Sequence, residues 1–416
     1  MNLRQIWYPF LFVLLSTGIQ AQTYSLSPTI KSLQAHLCGD WQQEPVLELG
    51  SAKQLCISFD ELSHNYKRLA YRIQHCNRDG QPSDLMELEY LDGFSENDIL
   101  DSERSYATHS LYTHYRLNIP NEQVQLKCSG NYRLWIYDRD APETTLAEVF
   151  FRVSESAVFV SGTVTASTDV DYKERHQQLE VTVNSQGLAL RQIENELFVH
   201  IQQNRRPDTE RILSQPAQMQ GQDLLYKHQR ELIFEAVNEY RRFDISTYKH
   251  AGINVDYIQW HAPYYNAALI EAFPRNRNYV YDQDQNGRFY IHNIDQSNPE
   301  VDSEYFLVHF NLPMDMPYPD KGVYIYGDLV HNQLDERSKM QYNFERKAYE
   351  KTLLLKQGAY NYLYVTRQGA QGSGDPQLLE GSFWQTENEY QVAVYYRPIG
   401  SRYDRLVGFT RLKTNF

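Results

Sequence analysis

Leu55-Cys-Ile-Ser-Phe59 and, three hundred residues on, Gly358-Ala-Tyr-Asn-Tyr-Leu-Tyr-Val365 decide how this chain folds. In both, every second residue is large and apolar or aromatic. A period of two puts Leu55, Ile57 and Phe59 on one face of a strand, with Cys56 and Ser58 on the other. The same alternation returns at Leu134/Ile136, Leu179/Val181/Val183, Leu197/Val199/Ile201 and Phe306/Val308/Phe310. It returns again at Val323/Ile325, Tyr360/Tyr362/Tyr364 and Val392/Val394/Tyr396. Gly, Asn, Asp or Pro bounds each run. One apolar face per strand implies sheets packed face to face. The 33 tyrosines among 416 residues suit this, because the ring packs on a pleated surface while the hydroxyl seeks a polar partner. No long segment carries a 3.6-residue stripe; Ser83–Leu91 and Phe94–Leu100 are read as short helical turns.

The fold expected is therefore all-β, in about three sandwich modules, immunoglobulin-like or early-set-like, packed in series. The boundaries are read as 22–154, 155–298 and 299–416, the second set by the polar stretch Asp295-Gln-Ser-Asn-Pro-Glu300. Residues 1–21 read as a secretory signal peptide: Arg4, then the apolar run Ile6–Ser16, then a small-residue exit at Ala21. That run is too short to span a bilayer, and no Cys follows the exit to carry a lipid. The mature chain is expected in an extracytoplasmic space. A formal net charge of -13 argues against nucleic-acid binding, which needs a basic field.

The four cysteines, Cys38, Cys56, Cys76 and Cys128, all lie in the first third. In an oxidising compartment they allow up to two disulfides in three pairings. A metal site lacks CxxC spacing, and Cys56 also suits burial as a small hydrophobe. His75-Cys76-Asn77 with Asp79 has the residue types of a nucleophile and base, but neighbours on a strand face opposite ways. A strand end followed by a turn at Asn77–Gly80 is the plainer reading. Asp282, Asp284 and Asn286, ahead of Gly287, have calcium-loop spacing, and Asn293 replaces the acid that an EF-hand needs at its twelfth position. Either a structural calcium ion or a plain Asn-Gly turn accounts for them. In Asn238-Glu-Tyr-Arg-Arg-Phe243, Glu239 is expected to pair with an arginine across a sheet while Phe243 enters the core.

Gly322-Val-Tyr-Ile-Tyr-Gly-Asp328 followed by Leu353–Val365 is similar to early-set sandwiches, including starch- and glycogen-binding modules. Leu329-Val-His-Asn332 stands where those modules place a sugar-stacking Trp. A carbohydrate-binding protein is the alternative function, with Trp384 as its aromatic platform; a hydrolase would need a pocketed pair of carboxylates or a nucleophile and base.

A wider resemblance rests on ordered strings. They are Ser58-Phe-Asp-Glu-Leu62, Tyr71-Arg-Ile-Gln-His-Cys-Asn77, Tyr90-Leu-Asp-Gly-Phe94, Tyr112-Thr-His-Tyr115 and Ser129-Gly-Asn-Tyr132 in the first module. Gln203-Asn204 and Asn238-Glu-Tyr-Arg241 follow, then Leu355-Lys-Gln-Gly358, Tyr360-Asn-Tyr362 and Glu380-Gly-Ser-Phe383. Thr386-Glu-Asn388, Tyr395-Tyr-Arg397, Tyr403-Asp404 and Leu406-Val-Gly408 complete the set. Together they resemble the Bacteroidota family of type IX secretion system plug proteins, formerly a domain-of-unknown-function family. One departure is Asp79-Gly80, where the family has Asp-Trp. The resemblance implies a non-enzymatic periplasmic plug or accessory subunit. Such a protein closes the periplasmic opening of a large outer-membrane β-barrel translocon, its expected partner. It implies no catalytic residues and no cofactor.

Overall fold

The computed structural model describes residues 22–369 and 372–416; the expected signal peptide lies outside them. The alternation read from the sequence is realised strand by strand: Leu55, Ile57 and Phe59 are buried, as are Val392, Val394 and Tyr396. The chain is an all-β assembly of three two-sheet sandwiches.

In the first sandwich one sheet runs Tyr24–Ser25, Ala141–Ser154, Gly130–Asp138, Leu69–Cys76, Glu96–Asp98, with Val46–Glu48 added in parallel to Ala141–Ser154. The facing sheet runs Ile30–Leu37, Leu55–Glu61, Thr113–Ile119, Asp101–Arg104. Their inner faces meet in one core, from Ile30 to Val153, that includes Leu55, Phe59, Tyr115, Tyr132 and Phe151.

The second and third modules do not follow one another as the sequence suggested. In the second, Phe159–Thr165, His176–Asn184, Asp223–Tyr226 and Gln218–Gln220 face a sheet ordered Arg211–Leu213, Leu197–Gln203, Glu389–Tyr396, Arg405–Lys413. The last two strands come from the C-terminus. Glu389–Tyr396 pairs with Leu197–Gln203 from Tyr390 to Tyr396, and Tyr390, Val392 and Val394 join Leu179, Val199 and Leu224 in one core. The third module is thus an insertion, leaving the second after Ile233–Glu235 and returning at Glu389. It pairs Gly358–Arg367 with Arg241–Asp244, Phe289–Ile291 and Gly322–Tyr326. Opposite lies a sheet ordered Val255–His261, Tyr264–Leu269, Tyr305–Pro313, Ala348–Lys356, Gln341–Asn343. Phe243, Phe306, Phe310, Tyr360 and Tyr362 fill the space between. The boundaries expected at 298/299 and at the C-terminus are therefore corrected. The polar stretch 295–300 is a loop inside the third module, and local alternation carries no information on which distant strand is a neighbour.

Smaller expectations also shift. Helix is confined to Glu87–Tyr90 within 83–91, while Phe94–Leu100 contains a strand, Glu96–Asp98. That strand pairs with Leu69–Cys76, so sheet pairing overrides a weak local preference. Among the described residues no helix is long and apolar enough to cross a membrane.

Candidate functional site

The residues with chemical promise in the sequence are engaged elsewhere. His75 and Cys76 end their strand and project oppositely. The His75 ring donates from Nε2 to the Ser129 carbonyl at 3.0 Å and accepts at Nδ1 from the Ser83 hydroxyl at 2.8 Å. Burial pushes its pKa down to about 4 and pushes the Cys76 thiol up to about 11, the opposite of an activated pair. The turn expected after it is present, with the Gly80 amide donating to the Asn77 carbonyl. Gly130 lies against that ring: its φ is +133°, and a Cβ there would stand 2.5 Å from His75 Nε2.

Asp282, Asp284 and Asn286 have protein partners of their own or sit in a turn. Asp282 pairs with Arg242 at 2.8 Å, while Asp284 accepts the Asn286 amide at 2.9 Å and the Tyr240 amide. Asn286 and Gly287 both take positive φ and form a tight turn. Among the described residues no group of three or more His, Cys, Asp or Glu is placed to hold a metal ion. Cys38 and Cys56 form a disulfide between neighbouring strands, whereas Cys76 and Cys128 are free thiols. Phe243 enters the core, but Glu239 is not the arginine's partner: Arg241 binds Glu380 at 2.9 Å, and Glu239 accepts from the Tyr279 hydroxyl at 2.6 Å. Trp384, half-buried with Phe416 against it and Lys173 over its ring, offers no open platform for a sugar.

What sequence reasoning missed is where the charge sits. Among the described residues, buried ionic knots lie on the seams between modules. At the first, Asp60 of module one is fully buried and accepts from Lys356 Nζ at 2.7 Å, Tyr305 hydroxyl at 2.6 Å and His114 Nδ1 at 2.6 Å. Lys356 and Tyr305 belong to module three. Burial opposes ionisation of Asp60, but Lys356 and His114 outweigh it and hold the carboxyl below its usual range. Burial and the nearby Asp60 charge push the Tyr305 phenol far up, so it stays a neutral donor. Lys356 also donates to the Glu300 carbonyl at 2.6 Å and lies over the Tyr112 ring at 4.2 Å.

The second knot joins all three modules. Glu44 binds Arg288 at 2.8 Å and Arg205 at 3.1 Å; Arg205 reaches Asp328 at 2.8 Å, and Arg288 reaches Glu389 at 3.3 Å. A cavity of about 110 Å³ opens beside it. The third ties modules one and two: Asp404 accepts from Arg78 side chain and amide, and the Tyr395 hydroxyl donates to Asn131 at 2.7 Å. The fourth ties two and three, with Asp208 held by Arg206 at 3.0 Å, the Tyr326 hydroxyl at 2.7 Å and the Gly374 amide at 2.8 Å.

A signal for them did exist. Asp60, Tyr112, His114 and Lys356 lie in strings that carry the family resemblance, as do Asn131, Tyr395 and Asp404. A charged residue in an otherwise apolar strand is costly unless paired. Chemically the arrangement fixes three bodies into one.

The comparisons agree with this geometry. A crystal structure of a hypothetical protein from Parabacteroides merdae is 41% identical, covering 95% of this chain and 100% of that one, with a TM-score of 0.93. A protein from Corynebacterium diphtheriae described as membrane anchored aligns over 92% of this chain and 91% of its own, at 8% identity and a TM-score of 0.13, too low to bear on the fold. No curated protein matches significantly. Residues 30–155, the first sandwich, match the family described as "Type 9 secretion system plug protein 1st domain", and the chain belongs to the type IX secretion system plug protein family.

Proposed function

We propose that this protein is a non-enzymatic periplasmic plug that seals the periplasmic opening of the type IX outer-membrane translocon barrel between transport events. The match of the first sandwich to the plug family carries this reading. The cross-bracing supports it physically. A seal has to hold its shape against an open pore, and buried ion pairs at every seam resist hinging, since stranding one partner is costly. Stable contacts of roughly 1,200–2,000 Å² are within reach of so broad a body. The test is gentle extraction of native outer membranes with a tagged copy of the chain. Expected outcomes are co-purification of a large β-barrel and, on deletion, increased entry of solutes that the outer membrane normally excludes. Recovery of no barrel, with permeability unchanged on deletion, overturns the reading.

A further inference from the structure

Between modules one and three, beside the Asp60–Lys356 knot, lies a cleft of about 350 Å³. That volume falls within the usual range for small-molecule pockets, about 300–1,000 Å³. Leu26, Ile30, Leu329 and Leu354 contribute its apolar walls, and Lys31, Arg337, Lys351 and Lys356 are its cations, Lys356 already paired with Asp60. The one carboxylate lining it, Asp328, is taken by Arg205.

In a protein of net charge -13 this concentration of positive charge is local. The Lys31 ammonium makes no hydrogen bond or ion pair among the described residues, although the residue is only half-exposed. Burial, with Arg337 nearby, lowers its pKa. Lys351 donates to the Glu336 carbonyl at 2.8 Å, with the Glu336 and Asp335 carboxylates near it, and Arg337 pairs with Asp335. His331, on the wall, is held neutral: burial, with Arg337 and Lys31 adding, pushes it down to about 4. The wall is shaped at a cost. A bulge between Lys31 and Gln34 breaks the register with Leu55–Glu61, and Ser32 and His331, both lining residues, take positive φ.

We propose that this cleft binds a small anionic amphiphile, a single acyl chain inserted between the leucines with its carboxylate or phosphate head on Lys31 and Lys351. The leucine walls take the chain, and the Lys31 ammonium gains a partner that the fold itself does not supply. The site is independent of the plug reading.

Isothermal titration of the mature chain with decanoate, kept below its self-association concentration, tests it. One saturable site is expected, with octanoate weaker by about fourfold for each methylene lost. Lys31→Ala and Lys351→Ala should each weaken decanoate about tenfold, the loss of one charge-assisted contact. Lys31→Arg should retain binding, and unchanged melting temperatures show that the variants fold. Decanol and acetate, each lacking half of the chemistry, should bind far more weakly. A parallel titration with a monoacyl phosphate separates the sources: tighter binding than decanoate points to a lipid head, weaker binding to a free fatty acid. No saturable binding of either anionic amphiphile, equal binding of decanol, or affinities indifferent to both lysines would overturn the proposal.

Discussion

Replacing Lys356 with Met removes the ammonium that neutralises Asp60 at the seam between modules one and three. Met keeps most of the volume, so the loss is electrostatic. Asp60 is left with two donors, Tyr305 and His114, each at 2.6 Å, and no fixed positive charge. Both Asp60 and Lys356 are essentially inaccessible, at 0% and 1% exposure, so water cannot take over. Stranding one member of a buried pair costs about 3–5 kcal/mol. Asp60→Asn strands Lys356 instead, leaving it the Glu300 carbonyl and the Tyr112 ring, at a similar cost. The double variant strands neither charge, so its cost should fall below the sum by about 3 kcal/mol. That shortfall is the coupling a double-mutant cycle reads. Urea denaturation supplies the free energies. Multi-module chains can unfold in steps, so hydrogen exchange at Leu55–Glu61 and Tyr305–Pro313 provides the local readout. Those strands should lose protection in Lys356→Met while Leu197–Gln203 keeps its own. Additivity within about 0.5 kcal/mol, or a single-variant loss under about 1 kcal/mol, would refute the view that this knot holds the modules together.

Met86, Leu88 and Phe94 are 69%, 79% and 77% exposed on one short segment of the first module. Changing all three to Asp should leave the melting temperature within a few degrees and abolish co-purification with the barrel. Cys38→Ser/Cys56→Ser opens an 18-residue loop and should destabilise the first module by about 3 kcal/mol in denaturant. Of the free thiols, partly exposed Cys128 should react with iodoacetamide well before buried Cys76. Burial raises the Glu239 carboxyl to about 7 from 4.5, so its contribution is complete below pH 4.5 and is lost as pH rises through about 7; Glu239→Gln should flatten that decline and stabilise the protein at pH 8 by up to about 3 kcal/mol.

The strands were legible because alternation is local: a residue's face is written two positions away. Tyr360, Tyr362 and Tyr364 needed no partner to be read as an inward face. Which strand sits beside which is not local. Glu389–Tyr396 looks like any C-terminal strand until its pairing with Leu197–Gln203 is seen. All eight residues are buried, because Val392 and Val394 face the core of module two while Ala393 and Tyr395 pack with Leu406 and Val46 toward module one. An edge strand would show one polar face. The pairing within the ionic knots was illegible for a related reason: Asp60 and Lys356 are 296 residues apart, and neither strand says which distant charge meets it.

The insertion and the knots address one mechanical problem. Modules joined in series by single linkers are free to hinge, since interfaces of that kind are modest and polar. Here the third module is anchored in the second at both its ends, and the strand that closes the insertion, Glu389–Tyr396, is central in module two and packed against module one. Hinging would have to unpair Glu389 from Arg288 at the seam with module three, and Tyr395 from Asn131 at the seam with module one. Opening the first three knots would strand a buried charge, and opening the fourth would take the Tyr326 and Gly374 donors from Asp208. The cost of bending is therefore distributed over four separate places instead of one, so loss of a single pair should loosen one seam without releasing the body. A seam-by-seam loss of hydrogen-exchange protection follows from this arrangement, whereas three independent beads would lose protection within modules and not between them.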